Sequence, residues 1–242
     1  MCPRRLSIRT SSTLLPPQNI DGLDLAAGLT PDEVVEAHGS FARAHCVECG
    51  HDSSVVEMRE AVRASRNLPL DPPPPLGDDP GAPWLRCASE ASGSCALRGE
   101  NPPGLVKPGI VFFGENLPDR FHELAPEDLG GADLLIVLGT SLAVQPFAGL
   151  IGVPGLTCPR VLINREPAAQ MSAEAWGRGA RRNGFFWGEG NFRDVLLRGD
   201  CDAGVEALCE AAGWLDELRE LKAASDTRLQ AAAQAAADEA WG

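Results

Sequence analysis

Two continuous aliphatic runs constrain the fold of this chain more than any other feature of its sequence. Residues 134–138 read Leu-Leu-Ile-Val-Leu and residues 161–163 read Val-Leu-Ile, and each run is followed by polar residues, Gly-Thr-Ser and Asn-Arg-Glu. A strand that is apolar on both faces is typical of a parallel sheet with helices on either side. Ligands bind such sheets beyond the carboxyl ends of the strands. The two runs therefore predict an α/β fold and place candidate ligand-binding residues at 139–141 and 164–166.

The rest of the chain predicts one further strand and several helices. The apolar run at residues 109–114 is bounded by glycines, which favours a buried strand. Thr30 and Glu33 form a capping-box pair, so we expect a helix to begin at residue 30 and to extend to about residue 38. We also expect helices over residues 55–64, 204–221 and 223–240, a short apolar segment over 194–200, and loop insertions over 71–83 and 166–192.

Composition argues against two classes of partner. The 242 residues and a hydrophobic content of 44% indicate a folded protein with a substantial core. The net charge of −13 argues against binding to nucleic acid, which requires a basic surface. The longest apolar run, residues 134–138, is too short to span a bilayer. We therefore expect no direct nucleic-acid partner and no membrane partner.

Four cysteines in a loop-rich stretch predict a metal site. Cys46 and Cys49 form a Cys-x-x-Cys turn, and Cys87 and Cys95 are the available second pair. Two thiolate pairs close a tetrahedral zinc site, although seven residues between Cys87 and Cys95 is a wider spacing than usual. No secretory signal is visible, which favours metal over disulfides. A module with little apolar core needs such a bound metal, so we predict a closed structural zinc.

Other interpretations of these cysteines remain open at this point. Cys46 and Cys49 could form a redox pair, with Cys87 and Cys95 free. The two histidines that flank the Cys-x-x-Cys turn, His45 and His51, are reserve metal ligands.

A polar segment and a histidine predict a catalytic crevice. Residues 18–22 read Gln-Asn-Ile-Asp-Gly, and His38 is followed directly by Gly39. An imidazole is a useful general base because its pKa lies near neutrality. The bland alternatives are that His38 is an ordinary core or surface residue and that Asn19 and Asp21 shape a turn and cap a helix. The Gly-Thr-Ser sequence after the first aliphatic run could equally be a strand-to-helix cap.

Taken together, the motifs resemble those of the sirtuins, the NAD-dependent protein lysine deacylases, and most closely the class I branch. They occur in the family's order and rough spacing from residue 18 to about 222. The motifs that carry the resemblance are residues 18–23 (Gln-Asn-Ile-Asp-Gly-Leu), 36–41 (Glu-Ala-His-Gly-Ser-Phe), Cys46 with Cys49, 106–115 (Val-Lys-Pro-Gly-Ile-Val-Phe-Phe-Gly-Glu), 138–147, 162–166, 199–202 and 213–214.

The resemblance implies a deacetylase that transfers the acyl group to ADP-ribose and releases nicotinamide. It implies that His38 is the catalytic base, which deprotonates a ribose hydroxyl after the substrate amide oxygen has displaced nicotinamide. The implied cofactors are NAD and zinc, and the implied partners are acetylated lysine peptides or proteins, histones among them. The implied NAD-binding residues are Asn19 and Asp21 at the nicotinamide pocket, Thr140, Ser141, Asn164, Glu166 and Cys201 at the adenosine half, and, with them, Gln18, Ile20, Gly139 and Arg165. The implied substrate-binding residues are Val111, Phe112, Gly114 and Glu115, and the implied zinc ligands are Cys46, Cys49, Cys87 and Cys95.

The resemblance also implies a domain organisation. Residues 18–222 are expected to form an incomplete sirtuin-type domain, in which a zinc module of about residues 42–106 is inserted in a Rossmann-like part, 18–41 and 107–222. A non-matching segment, 1–17, precedes this domain, and an alanine-rich tail, 223–242, follows it. The family's Gly-Ala-Gly-Ile-Ser loop, which cradles the NAD phosphates, does not occur in the chain. We therefore expect an incomplete Rossmann-like parallel sheet with helices on both faces plus a small zinc-binding module.

Two alternative functions follow from the same pattern. A truncated, catalytically impaired sirtuin would act as a zinc-containing binding or interaction module, and protein ADP-ribosyl transfer would use the same cofactor. The compartment expected is the cytoplasm or nucleus. The mitochondrion is the alternative, because Arg4, Arg5 and Arg9 stand in a segment with no acid before Asp21, as in a transit peptide. An unstructured or wrongly predicted start explains that segment equally well.

Overall fold

A computed structural model describes residues 18–65, 85–87, 95, 104–179 and 184–241. The chain divides into two compact units. We call the described residues of 18–25 and 29–121 the cysteine unit, and those of 26–28 and 122–241 the sheet unit. Among the described residues, no helix combines the length and the apolar character that crossing a membrane requires.

The described helices and strands alternate along the chain up to its last two elements, which are both helices. They are α1 (Leu23–Ala27), β1 (Gly39–Cys46), α2 (Val55–Ser65), β2 (Val106–Ile110), α3 (Asp119–Gly130), β3 (Leu135–Leu138), α4 (Phe147–Leu150), β4 (Arg160–Asn164), α5 (Ala173–Gly177), β5 (Asp194–Arg198), α6 (Cys201–Ala212) and α7 (Leu215–Trp241).

The sheet of the cysteine unit is an antiparallel pair, β1 and β2. Gly39 pairs with Ile110 at one end and Cys46 pairs with Val106 at the other, with an irregularity between Ser40 and Ala44. The strand predicted over residues 109–114 is observed as β2. It begins at residue 106, ends at residue 110 and runs antiparallel to β1. Pro108 lies inside β2, opposite Ala44 beside this irregularity, where a residue without an amide hydrogen is tolerated.

The helix predicted to begin at residue 30 does not form. The capping contacts exist, since Glu33 Oε2 accepts hydrogen bonds from the Thr30 amide at 2.8 Å and from Thr30 Oγ1 at 2.7 Å. They close an isolated turn. Val34, Val35 and Ala37 are all buried in the irregular chain that follows. Burial of these three apolar side chains outweighs a local cap, because a cap contributes only about 1 kcal/mol.

The sheet unit contains the parallel sheet that the aliphatic runs predicted. Its strands lie in the order β3-β4-β5, and β4 pairs in parallel with both neighbours. Ile163 faces α6, where a Cβ added at Gly204 would lie 2.2 Å from Ile163 Cγ2. Leu162 points to the opposite face, into a core cluster that contains Ile151 and Phe185. The central strand is thus covered on both sides.

Burial on both faces holds for β4 but not for β3. The side chains of β4 from Arg160 to Ile163 are buried. In β3 the side chains alternate: Leu135 and Val137 pack against the core cluster, whereas Ile136 and Leu138 are 40% and 44% exposed. A run of apolar letters cannot distinguish a central strand from an edge strand of the same sheet.

A buried ion pair ties β4 to β5 and to the segment between them. The Arg160 guanidinium donates to Asp194 Oδ1 at 2.7 Å and Oδ2 at 2.6 Å, to the Ile151 carbonyl at 2.8 Å and to the Gly184 carbonyl at 2.7 Å. It also lies 4.8 Å from the centre of the Phe185 ring. The described part of residues 166–192, predicted as a loop insertion, thus supplies core residues.

The carboxyl-terminal region consists of two helices, as predicted, but the break between them lies at residue 213 and not near residue 222. Gly213 adopts a left-handed conformation with φ +76° and caps α6, and its amide donates to the Glu210 carbonyl. The predicted helix 204–221 is therefore interrupted at this residue, which is the position where glycine commonly ends a helix. The alanine-rich tail is helical, as expected, and forms part of α7.

Candidate functional site

The four predicted cysteine ligands come together in the cysteine unit. The Sγ atoms of Cys46, Cys49, Cys87 and Cys95 all lie within 4.8 Å of one another. Cys46 and Cys95 are separated by 3.4 Å and Cys49 and Cys87 by 3.7 Å. Tetrahedral zinc with bonds of about 2.3 Å requires sulfur atoms about 3.8 Å apart. The four thiols therefore fit a zinc ion, and three of the four residues are buried.

The local fold explains how the irregular spacing closes on one point. Cys46 ends β1, and its carbonyl accepts the Gly50 amide at 2.9 Å across a turn in which Gly50 has φ +70°. The Cys87 amide donates to the Gly104 carbonyl at 3.0 Å, which attaches the second pair to the chain entering β2. Because backbone pairing brings Cys87 to the turn, the number of residues between the cysteines matters little.

Two sequence-based alternatives for the cysteines fit this geometry less well than a four-ligand site. Cys87 and Cys95 lie beside the Cys-x-x-Cys turn, whereas a redox pair with two free cysteines does not require all four thiols to come together. Among the residues that the structure describes, the cluster of ligand atoms consists of the cysteines and includes neither His45 nor His51.

Proton affinities differ between the thiols of the cluster. Burial acts to raise the pKa of the Cys46 thiol, but hydrogen bonds from the Cys49 and Glu48 amides and from neighbouring thiols lower it overall. The pKa of Cys95 is raised to about 12: the Gly104 amide acts to lower it, but this effect is outweighed by hydrogen bonding to Cys46, by burial and by the other two thiols. Four thiolates this close require a positive charge to ionise together, and Zn²⁺ supplies it.

His38 is held in one tautomer by the predicted polar segment. Its Nδ1 lies 3.1 Å from the Gln18 carbonyl oxygen. A carbonyl oxygen only accepts hydrogen bonds, so Nδ1 carries the proton and the lone pair of the neutral ring stands on Nε2. The backbone is fixed as well, since the His38 carbonyl accepts the Val111 amide at 2.9 Å.

Gly39 makes this arrangement possible. Its φ is +70°, and a Cβ at this residue would lie 2.0 Å from the Gly109 carbonyl oxygen. Only glycine allows β2 to approach so closely, and this approach brings Val111 beside His38.

The rest of the polar segment runs beside β1. The Ile20 carbonyl accepts the Phe41 amide at 3.3 Å. Asp21 Oδ1 accepts the Leu23 amide at 3.2 Å at the beginning of α1. Asp21 thus has the helix-capping role that the sequence offered as the alternative to ligand binding. Asn19 is exposed. The structure thus places Gln18 against His38 and Ile20 against β1.

The predicted substrate residues Val111, Phe112, Gly114 and Glu115 form one loop directly after β2. Glu115 Oε2 accepts the Phe112 amide at 2.9 Å, and the Glu115 amide donates to the Phe112 carbonyl at 3.0 Å. Gly114 has φ +92°, and Phe113 at the tip is fully exposed. Hydrogen bonds from Lys107 and from the Phe112 amide, aided by the charges of Lys107 and His45, lower the pKa of Glu115.

In the sheet unit, the predicted residues lie at the carboxyl ends of adjacent parallel strands. Asn164 Nδ2 donates to the Thr140 carbonyl at 3.2 Å and to the Glu166 carbonyl at 2.9 Å, which joins the ends of β3 and β4. Thr140 Oγ1 accepts the Leu142 amide at 3.2 Å, and Ser141 is exposed. This is the edge of a parallel sheet at which ligands bind.

Gly139, Arg165 and Cys201 complete this edge. Cys201 begins α6, and its Sγ would lie 3.2 Å from a Cβ added at Gly139. Arg165 forms an ion pair with Asp200 at 2.5 Å, with side chains 82% and 64% exposed. The absence of a Cβ at Gly139 leaves room for the Cys201 thiol at the end of β3.

Sequence reasoning missed the partners that orient the named residues. Asp200 and Lys107 stand inside the motifs, yet only the folded chain shows that they pair with Arg165 and Glu115. Opposite charge at the two ends of the motif 106–115 was the available signal for the Lys107–Glu115 pair.

Fold and site define the class of protein: an α/β protein with a parallel sheet in one unit and, in the other, a cluster of four cysteines that fits a zinc ion. The family model described as Sir2 family matches residues 4–146, which is more than half of the chain. The chain belongs to the Sir2 family, the sirtuins.

Several curated relatives are similar to most of this chain. NAD-dependent protein deacetylase hst2 of Schizosaccharomyces pombe is 37% identical over 204 residues, which cover 84% of this chain and 48% of the relative. NAD-dependent deacetylase sir2A of Dictyostelium discoideum is 39% identical over 205 residues, 84% of this chain and 33% of the relative. NAD-dependent protein deacetylase sirtuin-2 of Danio rerio is 37% identical over 210 residues, 84% of this chain and 47% of the relative. The chain thus spans half or less of the length of these relatives.

Proposed function

We propose that this protein is an NAD-dependent protein lysine deacetylase that transfers the acyl group to ADP-ribose and releases nicotinamide. The observation that carries the proposal is the fixed His38 imidazole, whose Nδ1 is tied to the Gln18 carbonyl at 3.1 Å. Membership of the Sir2 family and the printed names of the relatives support the choice of cofactor and reaction.

His38 acts as the general base in this proposal. Because Nδ1 donates to Gln18, Nε2 is the atom that accepts a proton from the ribose hydroxyl. Protonation leaves Nδ1–H in place, so the same carbonyl stabilises the imidazolium that forms. The Val111–His38 backbone bond holds the base at the start of the substrate loop.

The candidate NAD-binding residues form two groups, each within one unit, and NAD supplies an electrophilic ribose carbon when bound. In the cysteine unit these are Gln18, Asn19, Ile20 and Asp21. In the sheet unit they are Gly139, Thr140, Ser141, Asn164, Arg165, Glu166 and Cys201. The Asn164 amide fixes the neighbouring carbonyls, so exposed polar groups at the strand ends are pre-oriented for a ribose and an adenine.

The loop after β2 would bind the acylated lysine peptide. Val111 and Phe112 supply apolar surface for a lysine whose charge acylation has removed, and Gly114 and Glu115 complete the loop. The Phe112 amide is already bonded to Glu115, so Phe113 and Gly114 are the residues whose backbone can pair with an extended peptide. The proposed substrates are acetylated lysines in proteins, histones among them, and the proposed compartment is the cytoplasm or nucleus, with the mitochondrion as the alternative.

Zinc has a structural role in this proposal. Its ligands join the end of β1 to the chain that enters β2, and β1 and β2 carry His38 and the substrate loop at their other ends. A site with four protein ligands has no open position for a substrate, so the metal stabilises the unit and takes no part in the chemistry.

The test is deacetylation of an acetyl-lysine peptide, with product peptide and released nicotinamide measured with and without NAD. We expect turnover only with NAD, and His38→Ala should reduce it by at least about a hundredfold, as expected for loss of a general base. His122→Ala, in an exposed residue of α3, is the matched control and should retain activity. Turnover without NAD, or an active His38→Ala variant, would refute the mechanism.

Two further measurements, calorimetry with NAD and label transfer from NAD, would assign a different function. Peptide binding without any calorimetric signal for NAD would indicate the zinc-containing binding module. Transfer of label from NAD onto protein without loss of acetyl groups would indicate ADP-ribosyl transfer.

A further inference from the structure

Lys107 lies within β2, paired in register with His45, and its side chain reaches the loop that follows the strand. Its Nζ donates to the Ile110 carbonyl at 3.0 Å, immediately before that loop. The same Nζ contacts both carboxylate oxygens of Glu115, at 2.6 and 2.5 Å, at the far end of the loop. It also lies 4.7 Å from the centre of the Phe112 ring. One ammonium group therefore contacts the residue before the loop, the Phe112 ring within the loop and the Glu115 carboxylate at its end.

Glu115 passes this constraint to the backbone. Its Oε2, held by Lys107, also accepts the Phe112 amide at 2.9 Å. The Glu115 amide in turn donates to the Phe112 carbonyl at 3.0 Å. Both backbone groups of Phe112 are thus fixed, while Phe113 and Gly114 make no hydrogen bond to any residue that the structure describes. The loop is fixed at its ends and open in the middle.

The location of this ion pair decides what it can do. The side chains of Lys107 and Glu115 are 17% and 42% exposed, and a half-exposed pair contributes little to global stability. Among the residues that the structure describes, the hydrogen-bond, ion-pair and ring contacts of the ammonium group fall between residues 110 and 115. Removing them should change the loop far more than the fold.

We propose that Lys107 is a positioning residue for the acylated peptide, which it serves by holding loop 111–115 in the shape that receives an added peptide strand. This inference rests on the proposed function, since it assigns the peptide to that loop. Lys107 itself need not touch the peptide, because its donors are directed at Ile110 and Glu115. A preformed loop lowers the ordering cost of binding, so the effect falls on affinity for peptide rather than on the chemical step.

Steady-state kinetics of three single variants test this assignment. Lys107→Met removes the charge but keeps a linear apolar chain, and we expect KM for the acetyl-peptide to rise about five- to tenfold with kcat within about twofold. Lys107→Arg keeps a donor and should recover most of the loss. Lys222→Met, in an exposed residue of α7, removes the same charge elsewhere and should leave both constants unchanged.

Glu115→Gln supplies a coupling test. The amide oxygen can still accept the Phe112 amide, so this variant isolates the ion pair. If Lys107 acts through its ion pair with Glu115, the double variant Lys107→Met/Glu115→Gln should raise KM no further than Lys107→Met alone. Additive effects would show that the two residues act separately and would overturn the proposal, as would a fall in kcat with unchanged KM.

Hydrogen exchange separates failure of this inference from failure of the proposed function. The Phe112 and Glu115 amides should exchange faster in Lys107→Met than in the unaltered chain or in Lys222→Met, whether or not the protein deacetylates anything. Unchanged exchange would refute the positioning role even in an active enzyme. Faster exchange in a protein without NAD-dependent turnover would support the role of Lys107 in holding loop 111–115 and would refute the proposed deacetylase function.

Discussion

The buried Arg160–Asp194 pair provides the sharpest test of what holds the sheet unit together. Both side chains are completely buried. Asp194→Asn preserves the volume and the acceptor oxygen but leaves the Arg160 guanidinium in the core without its counterion. Breaking a buried pair in this way costs about 3–5 kcal/mol. Since whole domains have only about 5–15 kcal/mol of stability, the loss should be large.

Asp200→Asn is the matched control for this experiment. Asp200 also pairs with an arginine, Arg165, but the two side chains are 64% and 82% exposed. An exposed pair contributes about 0–1 kcal/mol because water screens the charges. Urea unfolding followed by tryptophan fluorescence measures both variants, with Trp176 and Trp187 reporting on the sheet unit. A loss below about 1 kcal/mol for Asp194→Asn, or equal losses for the two variants, would refute the reasoning.

Three further predictions concern the cysteine unit. Purified protein should contain about one equivalent of zinc, and Cys87→Ser should lose it, as metal analysis by mass spectrometry would show; retention of zinc would contradict the four-ligand site. Gly39→Ala should weaken β1–β2 pairing and peptide binding together, because its Cβ would lie 2.0 Å from the Gly109 carbonyl oxygen; a thermal shift and a peptide-binding assay check this. The largest cause of the lowered pKa of the Glu115 carboxyl is its hydrogen bond from Lys107. A pH titration followed by NMR should therefore place this pKa below its ordinary value of 4.5. Its stabilising contribution is thus present above that value and is lost as the pH falls through the folded-state pKa, and Lys107→Met should move the midpoint upward.

Sequence reasoning succeeded where residue type alone restricts the structure, and it failed where contacts between distant residues decide it. The parallel order of β3, β4 and β5 was predictable, because continuous aliphatic runs have few other ways to be buried. The prediction of a helix that begins at Thr30 was wrong. The capping signal is local, whereas the burial of Val34 and Val35 depends on the tertiary structure. Residues 166–192 gave no periodic signal, and the role of Phe185 in the core emerges only where Arg160 lies against its ring.

The sequence by itself determined the family, the aliphatic strands, the polar residues that follow them and the four cysteines, since these depend on residue type and order. Tertiary structure alone decided that β2 is antiparallel to β1, that the two cysteine pairs meet, and that Gln18 selects the tautomer of His38. It also decided that Lys107 spans the loop to Glu115. Each of these depends on a distance between residues that are separated along the chain, and such distances are set by backbone pairing and by close approach at residues such as Gly39, which composition and periodicity do not encode.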